Sequence, residues 1–166
     1  MIGTLDKVST SIPSPSAYAM LKMKRPTFSK LARAIFDYNT IRPREIPRMF
    51  SVQETWAVGI AQSMISGSMP YDVAASAARM LCSMTPEALE VAFSKGRSCL
   101  LVLRIDDKWQ ISERLLSITE EAEELAEIRR LCRLQGKQIS WTGVDVQPML
   151  TQLCDRVQFA NNADRN

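Results

Sequence analysis

FSVQETWAVGIAQSMISGSMPYDVAASAARML, residues 50–81, is the stretch whose periodicity decides the architecture. Ser51 stands three residues before Glu54, a spacing at which hydroxyl and carboxylate satisfy each other's free N–H groups at the start of a helix. Val52, Trp56, Gly59, Ile60 and Met64 then recur along one helical face, which predicts a helix over 52–65 ending near Gly67. After the Ser66-Gly67-Ser68 turn, Pro70 suits the first turn of a second helix, where its missing N–H is not needed. Val73, Ala74, Ala77, Ala78 and Leu81 form the buried stripe of that helix. Two helices joined by a short glycine turn make a helical hairpin or a helix-turn-helix. A third short helix follows over 86–93, capped by Thr85.

Upstream of this stretch the charge is concentrated. Lys22, Lys24, Arg25, Lys30, Arg33, Arg42, Arg44 and Arg48 stand against only Asp37 and Glu45, a balance of +6 in a chain of +3, so everything else sums to −3. An anionic polymer would dock on such a segment. From Thr27 a helix is predicted, capped by Thr27 and carrying Leu31, Ala34, Ile35 and Tyr38 inward, with Lys30 and Arg33 on the other side. Residues 39–47 contain Pro43 and Pro47 and form a basic loop. Residues 1–25, with Ser9, Ser11, Pro13, Ser14, Pro15 and Ser16, are expected to be a flexible arm.

Downstream the period changes. Residues 98–105 are a near-continuous apolar run that reads as a buried strand, and Asp106-Asp107 turns the chain into a second strand over 108–112. Ser117 and Glu120 form another capping box before a long helix to Gln135. Its glutamates, from Glu120 to Glu127, come early and Arg129, Arg130 and Arg133 late, matching the helix dipole. Residues 137–144 add a third strand. Asp145 caps a last helix with Met149, Leu150, Leu153, Cys154 and Val157 inward. The expected fold class is α+β: a helical, helix-turn-helix N-terminal half followed by a small β-β-α-β-α half. The divisions are an arm over 1–25, a helical DNA-binding domain over 26–95, a mixed dimerisation or effector domain over 96–160, and a frayed tail over 161–166.

The residues also restrict the chemistry. The chain has no histidine, which removes the commonest general base and any Ser/His or Cys/His pair. Cys82, Cys99, Cys132 and Cys154 are widely spaced and form no CxxC, so reduced core thiols are expected rather than a zinc site. Asp106-Asp107-Lys108 matches the Asp-x-Lys arrangement of metal-dependent nucleases, but Asp-rich turn chemistry accounts for it without a metal. Trp56, Trp109 and Trp141 sit in apolar patterns as core or interface anchors. Met64, Met69, Met80 and Met84 lie close enough to line an adaptable protein-binding surface. No apolar run reaches membrane-spanning length and the N-terminus lacks a secretory pattern, so a cytoplasmic, non-enzymatic protein without cofactors is expected.

Arg48-Met49-Phe50-Ser51 followed by a helix, a turn with Gly67 and a second short helix resembles the later part of the DNA-binding domain of MerR-type regulators. In that family a basic-aromatic-Ser step opens the helix after the first wing. The resemblance spans 48–81, about a fifth of the chain. It implies remnants of the family's first helix-turn-helix within 27–39 and a wing over 42–48. The functional expectation is a sequence-specific regulator of transcription that binds double-stranded DNA as a homodimer. The helices over 52–83 carry only Arg79, so the contacts must come from the eight basic residues named above. The alternative is an adaptor or antagonist whose Met- and Ala-rich helical pair binds a protein partner. In a third reading the basic residues are a solvated face that pairs with the glutamates of 120–127.

Overall fold

Phe50, the aromatic residue in front of the Ser51 cap, ties the N-terminal part of the chain together. The computed structural model describes residues 10–36 and 48–163. Strand β1 (Ser11–Pro13) runs antiparallel to β2 (Met49–Ser51), which sets Ile12 opposite Phe50, both buried. Helix α1 (Ser14–Met20) follows at once. The expected flexible arm over 1–25 is therefore corrected from residue 10 onward, residues 1–9 lying outside those described. The prolines behind that expectation occupy permissive positions: Pro13 ends a two-stranded ribbon and Pro15 falls in the first turn of α1.

After a turn over residues 21–24, helix α2 (Arg25–Phe36) begins two residues before the expected Thr27 cap. The Phe28 N–H donates to the Lys24 carbonyl at 3.0 Å, so Lys24 occupies the capping position. Phe28, Leu31, Ala32 and Ile35 are buried, the i, i+3, i+4, i+7 set of one helical face. Tyr38 and the basic loop over 39–47 lie outside the described residues.

Helices α3 (Val52–Ser66) and α4 (Tyr71–Ser83) match the expected pair. The Glu54 N–H donates to Ser51 Oγ at 3.0 Å and the Ser51 N–H to Glu54 Oε2 at 2.7 Å, completing the capping box. Helix α3 is buried over most of its circumference, Trp56, Ala57, Val58, Ile60 and Ala61 included, so it is the central helix of its unit. The Gln53 amide donates to the carbonyls of Leu81 and Met84, each at 2.8 Å, and closes the end of α4.

The remaining elements are α5 (Pro86–Ser94), β3 (Cys99–Ile105), β4 (Lys108–Ile111), α6 (Ile118–Leu134), β5 (Ile139–Asp145) and α7 (Gln147–Ala163). The chain divides into two compact units, one running to Pro86 and including the chain from Pro148, the other Glu87–Gln147. Both expected boundaries, at 95 and 160, are thus moved. Helix α7 joins the first unit because its apolar side, Leu150, Leu153, Cys154 and Val157, is buried there, with Met149 closing on Gly59 of α3. A Cβ on Gly59 would stand 2.7 Å from both Met149 Sδ and Leu21 Cδ2, so a larger residue there would make these two side-chain ends move. The expected frayed tail is helical as far as Ala163.

The second unit is an antiparallel sheet of order β4-β3-β5 with α6 against one face. Leu101, Leu103, Leu116 and Leu125 form its core, with Ile128 and Ile139 alongside. The fold is thus mixed helix and sheet, with the β-β-α-β order expected of residues 98–145. The four cysteines are free thiols, and burial first, then nearby carboxylates, pushes Cys82 and Cys99 up to about 12.

Glu120 caps α6 and accepts the Arg97 guanidinium at 2.9 Å from Nε. That bond, with the Ser117 N–H, lowers its carboxyl from 4.5 to about 2. A lowered folded value means the stabilisation is complete above the unfolded value and lost as pH falls between about 4.5 and about 2. Thermal melts across that range should show a shallower acid loss for Arg97→Ala than for the parent; parallel losses would contradict the pairing.

Candidate nucleic-acid interface

The Ser-Pro start of α1, a four-residue turn and the amphipathic pattern of α2 give a pair of consecutive helices inside the first unit, upstream of the helix pair that the sequence singled out. Lys22 sits in the turn with φ of 53°, the left-handed conformation such a bend requires. An aromatic cluster holds the two helices. The Phe28 ring meets Tyr18 of α1 at 6.3 Å and Phe50 of β2 at 5.1 Å, both edge to face, and Phe36 lies 6.3 Å from Phe50. The backbone ladder adds to this, with the Ser14 N–H donating to Arg48 O at 2.7 Å and the Val52 N–H to Thr10 O at 3.0 Å.

With its apolar side fixed, α2 turns its polar side outward. Lys22, Lys24, Arg25, Lys30 and Arg33 are all exposed, so the structure brings five of the eight sequence-predicted cations onto one turn and one helix. Arg48 is half-buried, its guanidinium 5.5 Å from the centre of the Phe50 ring. Arg42 and Arg44 lie outside the described residues. Pro26, Thr27 and Ser29 complete the outer surface of α2; Ser29, Lys30 and Arg33 line a shallow cleft with Tyr71.

Helix α4 anchors α2 from the other side. The Tyr71 hydroxyl donates to Lys30 O at 2.9 Å, and Arg79 Nη1 donates to Ala34 O at 2.8 Å. The Ala34 carbonyl belongs to the last turn of α2, which has no partner within the helix, so a cation there also suits the dipole. Burial pushes the Tyr71 phenol up, keeping it a donor. The Lys30 ammonium lies 5.3 Å over the Tyr71 ring. Sequence reasoning left both supports out, because nothing local signals what a side chain 41 or 45 residues away will hold.

No protein-family model and no curated protein matches this chain.

The other candidate sites come out differently. Asp106 takes the left-handed φ of 52° in the turn between β3 and β4 and accepts the Gln138 N–H at 3.1 Å, while Asp107 accepts Arg104 at 2.9 Å. Both carboxylates at the turn thus accept hydrogen bonds from neighbouring parts of the sheet, Asp106 from the residue before β5 and Asp107 from β3. Among the described residues no three acidic or thiol groups gather as a metal would require. Met64 and Met69 are buried and Met80 and Met84 half-buried, which leaves less of the expected methionine-lined surface than the spacing suggested. Within the second unit, Glu120 is paired with Arg97 and Glu127 with Arg130. Trp56 is a core residue as expected, Trp109 is half-buried, and Trp141 is 40% exposed. Among the described residues no helix is long and apolar enough to cross a membrane.

Proposed function

We propose that this protein is a sequence-specific DNA-binding regulator of transcription that acts as a homodimer, with α2 as its recognition helix. One observation carries the reading: five exposed cations lie on α2 and the turn before it, with an apolar face fixed behind them, the placing expected of the second helix of a helix-turn-helix. In that motif the second helix enters the major groove, its N-terminal residues meet base edges, and cations around them meet phosphate. Arg25, Pro26 and Thr27 occupy the N-terminal position here, and Lys30 and Arg33 lie one and two turns further on. The order of the described elements also supports the MerR-type resemblance: the helix pair α1 and α2 precedes the Arg48-Met49-Phe50-Ser51 step that opens α3. Symmetric dimers are the commonest way for such a unit to read two half-sites.

Affinity for duplex DNA measured by fluorescence anisotropy across a salt series tests this. The logarithm of affinity should fall linearly with that of salt, by about 0.9 per phosphate contact. If the five cations each meet a phosphate, the slope is about −4.5 per copy. Undetectable binding at low salt, or binding indifferent to salt, would overturn the proposal.

A further inference from the structure

Strand β5 is an outer strand of its sheet, and its four central residues, Ser140, Trp141, Thr142 and Gly143, are exposed. The Val146 N–H donates to Ser98 O and the Asp106 N–H to Gln138 O, each at 2.9 Å. In that register the even-numbered residues of β5 face β3, so Ile139, Trp141, Gly143 and Asp145 direct N–H and C=O outward. Sheet edges are ordinarily blunted by a charge, a proline or a bulge, and residues 138–144 have no charge and no proline.

We infer that β5 pairs antiparallel with β5 of a second copy of this chain, about a two-fold axis at Thr142, joining two three-stranded sheets into one of six strands. This rests on the homodimer of the proposed function and is independent of its DNA. The residues around the axis are self-complementary. Trp141 falls opposite the partner's Gly143, and Gly143 opposite the partner's Trp141, so each ring has no side chain directly opposite it on the facing strand. Above them on α6, the Arg129 guanidinium stacks 3.7 Å from the centre of the Trp141 ring. Glu121 lies over Gly143, its Oε1 2.6 Å from where a Cβ would stand. The axis therefore carries each Arg129 toward the partner's Glu121. Because the axis is perpendicular to the sheet, the two α6 helices run antiparallel on one face, the glutamate-rich half of one beside the arginine-bearing half of the other. Ile118, 83% exposed, shares the Arg129 stripe of α6 and gives this seam an apolar member. Moving the axis by one residue to Trp141 would set Arg129 against its own copy, so charge as well as shape selects Thr142.

The full chain without nucleic acid tests this by analytical ultracentrifugation and by cysteine crosslinking. Thr142→Cys meets itself across the axis at about 4.5 Å between Cα atoms, within the disulfide range of about 4.4–6.8 Å. Ser140→Cys stands about 13 Å from its own copy, four residues of strand rise. The expected result is a dimeric parent, a disulfide-linked dimer on mild oxidation of Thr142→Cys but not of Ser140→Cys or the parent, and a cooperatively folding monomer for Trp141→Lys, its melt lowered by the lost Arg129 stack and the lost dimer. A monomeric parent would overturn both the inference and the homodimer, whatever foreign strand the edge then accepts. A dimeric parent without selective Thr142→Cys linkage would overturn the β5 seam and leave the homodimer standing. Neither outcome touches DNA binding, which the salt series decides separately.

Discussion

Trp56→Ala should lower the stability of the N-terminal unit by about 3–5 kcal/mol, the usual range for removing a fully buried large aromatic side chain. Trp56 is 0% exposed, and its neighbours along α3, Ala57, Val58, Ile60 and Ala61, are themselves buried to within 2%. They are small or already fully packed and cannot swing into the vacated volume, so the cavity persists and its cost adds to the lost transfer energy. Urea unfolding followed by far-ultraviolet circular dichroism measures the change directly. Below its melt the variant should still bind duplex, because α3 contributes no cation to the outer face. A parent-like midpoint would remove α3 from the centre of the unit.

The opposite separation is expected for Lys30→Ala with Arg33→Ala. Both side chains are exposed, and the bond from Tyr71 reaches the Lys30 carbonyl, which the substitution retains. Only the Lys30 to Tyr71 cation–π contact is lost, worth about 0.5–1 kcal/mol at an exposed site, so the melt should move little. Affinity for every duplex should fall together, and the salt slope should flatten by about 1.8, two contacts at about 0.9 each. Unchanged affinity with an intact melt would return these cations to the solvated-face reading.

Local signals served well where they were self-contained. Both capping boxes, the alanine stripe of α4 and the strands over 99–111 follow from patterns a few residues long, because the interactions concerned close within the same element. Longer-range pairing was not legible. Residues 11–20 carry the composition of a loop, and only the Phe50 strand, about 40 residues on, turns them into a ribbon and a helix. The pairing of α1 with α2 is not legible for that reason, although the cations that mark α2 are plain in the sequence. Helix α7 was assigned to the nearer half in sequence, since the closeness of Met149 to Gly59 has no trace in either segment alone. The anchoring of α2 by Tyr71 and Arg79 was hidden for the same reason.

That anchoring has a consequence for how such a protein can diverge. Tyr71 and Arg79 hold the main-chain carbonyls of Lys30 and Ala34, and those hydrogen bonds do not depend on the side chains there. The outward residues of α2 at 25, 26, 27, 30 and 33 can therefore change from one descendant to the next without loosening the helix from its seat. If α2 reads DNA as proposed, target preference and foldedness become separately inherited traits, and a lineage can explore new operators while the scaffold behind them stays fixed.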